Sequence, residues 1–373
     1  MVDSAKRIDR IFKNIDGSDS IKPKPDLVVL GNGVEPHIDA SFFYVTGIPY
    51  GLFEGSYLVG LRNGEVSLVT SKLEEAIARA HAKSIKVFAE SDAAAIRSKL
   101  GQLAGKNKIV GFNSSELTYK SFQTIRSALR GSKFVDVMEA FENARLIKDA
   151  NEVELIQKAC DISSLAYKKI PSMLKEVITE SQVAAKMAYE MQSAGGSGLA
   201  FESIIAFGKN SAEPHYAPGS TELKQNQFVL CDYGSRYRRY CSDITRTLVY
   251  GKASKKQTRI YSIVKEALEL GIGLCTAENT GEEVNARVTK LIDSTEYKGL
   301  FIHSTGHSLG LSVHDGPGLS KNFKRKLVPG MVVTVEPGIY LPGFGGVRIE
   351  DDVLITKGKP RVLTSATREL IEV

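Results

Sequence analysis

Four carboxylates and one imidazole, spread from position 232 to position 350, constrain this chain more than any other feature. They are Asp232 in LCDYG, Asp243 in CSDITRT, His307 in HSTGHSLG, Glu336 in TVEPGIY and Glu350 in VRIEDD. Each sits in or beside a segment that reads as a strand or its end, next to glycines or small residues. Four carboxylates around one imidazole make a hard, oxygen-rich site, which suits a pair of divalent ions better than one tetrahedral zinc. Two dications also balance carboxylate charges that could not otherwise lie close together ionised. Asp232 and Asp243 lie on successive strands joined by a turn around residues 235–239, and a hairpin would bring them onto one face. Glu336 and Glu350 flank the Gly-rich turn at 342–346 and would converge from a second hairpin. His307 comes from a loop between Gly306 and Gly310, where glycines let backbone approach closely.

At 373 residues, two domains are the default. Forty-nine basic and 43 acidic residues leave a net charge of +6, too mild an excess to imply a nucleic-acid partner. The basic run at 321–326 reads as a solvated loop, and Arg236, Arg238 and Arg239 as a hairpin turn. The N-terminus, MVDSAKRIDRIFKNID, is charged and amphipathic without the apolar core of a signal peptide. No apolar run reaches the roughly 18 residues that span a bilayer, so no membrane partner is expected. Cys160, Cys231, Cys241 and Cys275 show no paired spacing. They read as reduced, mostly buried thiols of a cytoplasmic protein, with Cys231 on the strand face opposite Asp232.

Residues 26–137 alternate β-rich runs (DLVVLG, SYLVGL, VSLVT, IKVFA, KIVGF, KFVDV) with helical stretches at 72–83, 92–103 and 115–129. That pattern predicts an α/β domain of its own. The boundary falls near 139–150, which divides the chain into 1–140 and 141–373. Beyond it, Thr179 with Gln182, Ser254 with Gln257 and Thr280 with Glu283 have capping-box spacing. Helices are expected at about 151–170, 180–194, 255–277 and 281–296, and strands at 228–234, 242–250, 331–340 and 346–356. Helices covering one face of a largely antiparallel sheet make an α+β arrangement. No internal repeat is visible in the sequence.

The strings LCDYG, SDITRT, STGHSLG, VEPGIY and VRIED, in this order, resemble the signatures of the pita-bread metallopeptidases, above all the Xaa-Pro dipeptidases (prolidases) and Xaa-Pro aminopeptidases. The resemblance covers residues 145–373, and DASFFYVTG at 39–47 resembles a stretch of the family's N-terminal domain. It implies an α+β pita-bread (creatinase/aminopeptidase-like) catalytic domain in two pseudo-symmetric halves, behind an α/β N-terminal creatinase/prolidase-type domain. It implies two divalent metal ions, bridged by Asp243 and Glu350. Asp232 completes one metal's shell, and His307 and Glu336 complete the other's. Mn²⁺ or Co²⁺ fits one nitrogen among several oxygens better than Zn²⁺. His215 in SAEPHYAPG and His314 in SVHDGPG match positions that hydrogen-bond substrate and the developing oxyanion. Glu336 is implied as general base and then general acid. The implied substrate is a short Xaa-Pro peptide, and the implied assembly is a homodimer.

Arg348, two residues before Glu350 on the same strand face, is expected to ion-pair with a ligand carboxylate, to brace the sheet, or both. Thr245 is expected to hydrogen-bond a ligand, and His303 to support the site or the fold. His37 and His81 fall in the N-terminal domain, outside this set. Prolidases often carry Arg after the Pro of a VHxxP string, where this chain has Gly318. Without that cation, strict recognition of a free C-terminal proline is not expected, and longer Xaa-Pro peptides remain open. A methionine aminopeptidase-like enzyme, a creatinase-like hydrolase and a non-catalytic peptide-binding module on the same fold are the rivals. The upstream domain, the complete ligand set and the retained histidines argue against each in turn.

Overall fold

The computed structural model describes residues 2–373. The chain parts into two compact units, Met1–Arg145 and Leu146–Val373. The division falls at the end of a helix over Met138–Leu146.

In the first unit the chain runs α1 (Ser4–Gly17), β1 (Leu27–Gly31), α2 (Ala40–Thr46), β2 (Tyr57–Leu61), β3 (Val66–Ser71) and α3 (Glu75–His81). It continues through β4 (Lys86–Glu90), α4 (Ala93–Ala104), β5 (Ile109–Phe112), α5 (Tyr119–Ala128), β6 (Lys133–Asp136) and α6 (Met138–Leu146). The six strands form one mixed sheet in the order β4-β3-β2-β1-β5-β6. Each of the six β-rich runs becomes one strand. Leu27, Val29, Val59, Val69, Leu100, Val110 and Ile125 close its core. Three helices, α1, α2 and α6, have no counterpart in the sequence reading. In α1 the apolar stripe Ile8, Ile11, Phe12 and Ile15 is buried. In α2 the run ASFFYVT is strand-like in composition. It folds as a helix because Asp39 caps its N-terminus and Gly47, at φ 64°, closes it in the left-handed region.

The second unit begins with α7 (Ala150–Tyr167), α8 (Ile170–Met173) and α9 (Glu180–Ser193), then β7 (Gly198–Leu199) and β8 (Ile204–Phe207). Next come β9 (Gln227–Tyr233), β10 (Ser235–Tyr237), β11 (Tyr240–Cys241), β12 (Ile244–Tyr250), α10 (Lys255–Leu274) and α11 (Gly281–Asp293). The last strands are β13 (Val332–Val335), β14 (Gly338–Leu341), β15 (Gly345–Arg348), β16 (Asp351–Leu354) and β17 (Arg361–Val362). The helices α7, α9, α10 and α11 all open on reciprocal capping boxes, the first of them Asp149 with Glu152. Such caps stabilise each helix by about 1 kcal/mol relative to alanine. Two cores result. One joins α7, α8 and α9 to β8, β9 and β12 through residues such as Met187, Ile205 and Leu248. The other joins α10 and α11 to β13–β16 through Val264, Val288, Val335 and Val347.

The two expected C-terminal strands are each interrupted. Pro337 has no N–H to donate, so the ladder of β13 stops at Val335 and resumes at Gly338. The partner strand breaks between Arg348 and Asp351. Glu336 and Glu350 stand in these breaks. The two halves are joined where β12 meets residues 348–352. Glu350 N donates to Thr245 O at 3.1 Å. Thr247 Oγ1 donates to Arg348 O at 3.0 Å, and Asp243 N donates to Asp352 Oδ2 at 2.9 Å. All four cysteines are free and buried. Among the described residues no helix is long and apolar enough to cross a membrane.

Candidate metal centre

The register of β9 and β12 sets Asp232 opposite Thr245, two residues from Asp243, so both aspartates share one face of the pair. The hydrogen bonds between residues 243–247 and 348–352 then bring Glu350 to Asp243. His307 is fixed by an exchange with β13, its N–H donating to Thr334 Oγ1 at 3.1 Å and its C=O accepting from Thr334 N at 2.8 Å. This approach requires Gly306, where a Cβ would lie 1.9 Å from Thr334 O. Glu336 N donates to Thr305 O at 2.8 Å, which places its carboxylate beside the same loop.

Asp243, His307 and Glu350 each offer a ligand atom, all within 4.8 Å of one another. Glu336 Oε1 and Asp243 Oδ2 both stand 3.6 Å from His307 Nε2. Asp232 borders this group, with one oxygen ion-paired to Arg348. Asp232 Oδ1, Asp243 Oδ1 and Glu350 Oε1 are buried with no hydrogen-bond partner. Buried carboxylate oxygens without partners are costly. Three on neighbouring carboxylates, in the cavity that His307 also lines, fit a centre built for cations.

The electrostatics agree. Burial, then Glu350 and Asp232, pushes Asp243 well above the carboxylate range. Burial, then Glu336 and Asp232, does the same to Glu350. Burial lifts Glu336 to about 8 against the opposing pull of Arg348. His307 is lowered to about 3 by burial and by His314, so its ring is neutral at pH 7. His307 Nδ1 lies 3.3 Å from Ser308 O, an acceptor only. The Nδ1 proton donates there, and the Nε2 lone pair is left facing the carboxylates.

The remaining site residues are placed as follows. Arg348 is buried; it pairs with Asp232, donates to Tyr340 OH at 2.8 Å and to Thr245 Oγ1 at 3.2 Å. Thr245 Oγ1 donates to Glu350 Oε2 at 2.6 Å. His303 Nδ1 donates to Ser304 O at 2.9 Å, its Nε2 accepts from Tyr340 OH at 2.8 Å, and it stands 3.9 Å from Glu336. The His314 ring lies 4.1 Å from that of His307, and burial together with His215 lowers its pKa. His215, His314, His303, Arg348 and the five proposed ligands line one cavity of about 500 Å³, with Phe201, Ile204, Tyr216 and Val313 as apolar walls.

Two findings lie outside the sequence reading. Tyr340 and Asp352 support the site, the first through Arg348 and His303, the second through the backbone of Asp243. Both stand inside the strings VEPGIY and VRIEDD, but their partners are distant in sequence and leave no local signal. The place of Gly318 is also clear. A Cβ there would lie 2.2 Å from His307 Cα. The residue packs beneath the histidine loop.

The geometry has counterparts among known proteins. Residues 154–357 match the model of metallopeptidase family M24, and residues 26–147 match the creatinase/prolidase N-terminal domain. An Xaa-Pro dipeptidase of Pyrococcus furiosus is 34% identical over 318 residues, 85% of this chain and 89% of the relative. A putative Xaa-Pro aminopeptidase of Mycoplasma genitalium is 35% identical over 279 residues, 74% of each. The solved structure of an Xaa-Pro dipeptidase from Bacillus anthracis superposes with a TM-score of 0.89 at 31% identity, covering 99% of this chain and 100% of that one.

Proposed function

The chain belongs to metallopeptidase family M24, and we propose that it hydrolyses the bond between an N-terminal residue and proline in short peptides, at a centre of two divalent ions. Its catalytic unit has the α+β pita-bread fold, and its first unit is the α/β creatinase/prolidase-type domain. The observation that carries the proposal is the set of three buried, partnerless carboxylate oxygens beside His307 and Glu336. Asp232, Asp243, His307, Glu336 and Glu350 would hold Mn²⁺ or Co²⁺ in preference to Zn²⁺. When bound, such ions supply a water acidic enough to attack near neutral pH and polarise the scissile carbonyl.

The protein's own groups do the rest. Glu336 takes the proton of the attacking water on its carboxylate and returns it to the proline nitrogen as the C–N bond breaks. His314 and His215 donate N–H to the carbonyl oxygen as it gains charge. Arg348 keeps Asp232 oriented. Phe201, Ile204 and Val313 offer apolar walls for the pyrrolidine ring.

Metal content and hydrolysis of Met-Pro, Leu-Pro and Leu-Pro-Pro, with Mn²⁺, Co²⁺ or Zn²⁺ returned to stripped protein, test this reading. Cleavage of Xaa-Pro bonds with about two ions per chain supports it. No metal and no cleavage would indicate a binding module, and preference for Met-Ala over Met-Pro would indicate a methionine aminopeptidase. His314→Ala is expected to lower kcat by on the order of 10²-fold with metal content unchanged. Loss of metal in that variant would make His314 a ligand instead.

Among the described residues lining the cavity, Arg348 is the only Lys or Arg, and it is held by Asp232, Tyr340 and Thr245. A free C-terminal carboxylate therefore meets no available guanidinium. The kcat/KM for Leu-Pro is expected to lie within about 10-fold of that for Leu-Pro-amide. A preference for the acid above about 100-fold, on the order of 3 kcal/mol, would reveal a strong clamp and place the enzyme with strict dipeptidases.

A further inference from the structure

We propose that Glu180 is a positioning residue that holds His215 in its working place; the inference rests on the proposed role of His215 as a donor to the substrate carbonyl. Glu180 is the first residue of α9, after the capping Thr179. Its residue is fully buried, yet its carboxylate does not face the metal centre. It faces the irregular segment 208–221, which carries His215 and Tyr216 into the cavity wall.

Four donors converge on it. Oε1 accepts from Phe207 N and from Asn210 Nδ2, each at 2.9 Å. Oε2 accepts from Tyr216 OH at 2.9 Å and from Gly219 N at 3.2 Å. One carboxylate thus ties the end of β8, the turn that follows it, the residue next to His215 and the far side of the loop. Asn210 Nδ2 also reaches Tyr216 OH at 2.8 Å and Thr221 Oγ1 at 3.1 Å. The backbone around Glu180 adds to the hold: Glu180 N donates to Thr221 O at 3.2 Å and Ser181 N to Gly219 O at 3.0 Å.

A carboxylate suits this place and an amide does not. Every group facing it is a donor, so both oxygens must accept. Its negative charge also lies at the N-terminus of α9, where the helix favours it. Glutamine would turn an NH₂ toward at least two of the four donors. Residues 213–219 have no strand ladder of their own, so loss of this anchor lets the His215 loop drift. A shift of about 1 Å in a catalytic group suffices to cost rate.

The test is a double-mutant cycle on the metal-loaded enzyme, reading kcat, KM and bound metal. His215→Ala is expected to lower kcat by about 10²-fold, and Glu180→Gln by about 10-fold, both with metal retained. In the double variant the rate should stay within about 2-fold of His215→Ala alone, because the anchor then has nothing catalytic left to position. Tyr216→Phe removes one of the four donors, keeps the fold if Glu180→Gln does not, and should show a smaller loss with the same dependence on His215. Losses that multiply, a Glu180→Gln or Tyr216→Phe rate equal to wild type, or loss of metal in either would overturn the role of Glu180 while leaving that of His215 intact. A His215→Ala enzyme as fast as wild type would instead overturn the reading of His215, and this inference with it.

Discussion

Asp243→Asn is expected to lower kcat/KM by at least about 10³-fold, to lose bound metal, and to raise the melting temperature of the metal-free protein. The activity loss follows from the position of the side chain. Asp243 touches the one imidazole of the cluster and sits in the three-residue group whose ligand atoms lie within 4.8 Å. Under the proposed two-ion centre, an amide there presents one neutral oxygen in place of a carboxylate. The several kcal/mol of transition-state stabilisation that a metal centre supplies correspond to the stated factor. The stability gain follows from the same crowding. Without cations, burial and neighbouring carboxylates raise Asp243, Glu350 and Glu336 above their unfolded values, Glu336 from 4.5 to about 8. A raised folded pKa means that the native state keeps protons which the unfolded chain releases. Their contribution to stability is complete below about pH 4.5 and is lost as pH rises through about 8. The metal-free protein should therefore melt at progressively lower temperature from pH 5 to pH 8. Added Mn²⁺ should restore most of the difference at pH 8, where the carboxylates are free to bind it. Asp243→Asn should flatten the slope. Calorimetry of stripped and reloaded protein measures all three, and a metal-free melting temperature that climbs with pH would remove the basis for the argument.

Short, local signals in the sequence correspond to what the structure builds. The β-rich runs of the first unit become its six strands, because alternation and propensity act over a few residues. Thr179, Ser254 and Thr280 make their capping boxes, because both partners lie within one helical turn. The five short strings name residues that all line one cavity. What escapes the sequence is of two kinds. The first is local preference overruled by context: ASFFYVT is β-prone yet helical between Asp39 and Gly47, and the segments 331–340 and 346–356 each break at a glutamate. Pro337 signals the first break, whereas nothing local signals the second. The other kind is partnership across sequence. Asp352 meets Asp243 where residues 243–247 lie against 348–352, and Glu180 meets Tyr216 between a helix and a loop, contacts that no local pattern signals. A single carboxylate in a sequence carries no mark of which distant donor it will face.

Arg246 shows how much rests on such a partner. It stands on β12, one residue from Thr245 and on the opposite face, and is 1% exposed. Its guanidinium pairs with Asp351 at 2.7 Å and donates to the carbonyls of Thr367, Ala366 and Thr245 at 2.8, 2.9 and 2.9 Å, and also to that of Glu350. All its donors are used, so the burial of its charge is compensated. Replacement by Met fills much of the volume but removes the guanidinium's bonds to the carbonyls of Thr367, Ala366 and Glu350, while that of Thr245 keeps the N–H of Glu350. Asp351 keeps Arg368 and Thr364 as partners, so it is not stranded completely. Arg246→Met is expected to destabilise the catalytic unit by on the order of 3–5 kcal/mol, the range for breaking a buried pair from one side. Because the same side chain fixes the backbone of Glu350, metal affinity should fall by about 10–100-fold as well. Adding Asp351→Leu should cost less than its effect in the wild-type background, since the pair is already broken. Denaturant unfolding followed in the catalytic unit, together with metal titration, measures both effects. A loss below about 1 kcal/mol would mean that water or a neighbouring donor replaces the guanidinium, and that this network does not hold the two halves of the metal centre together.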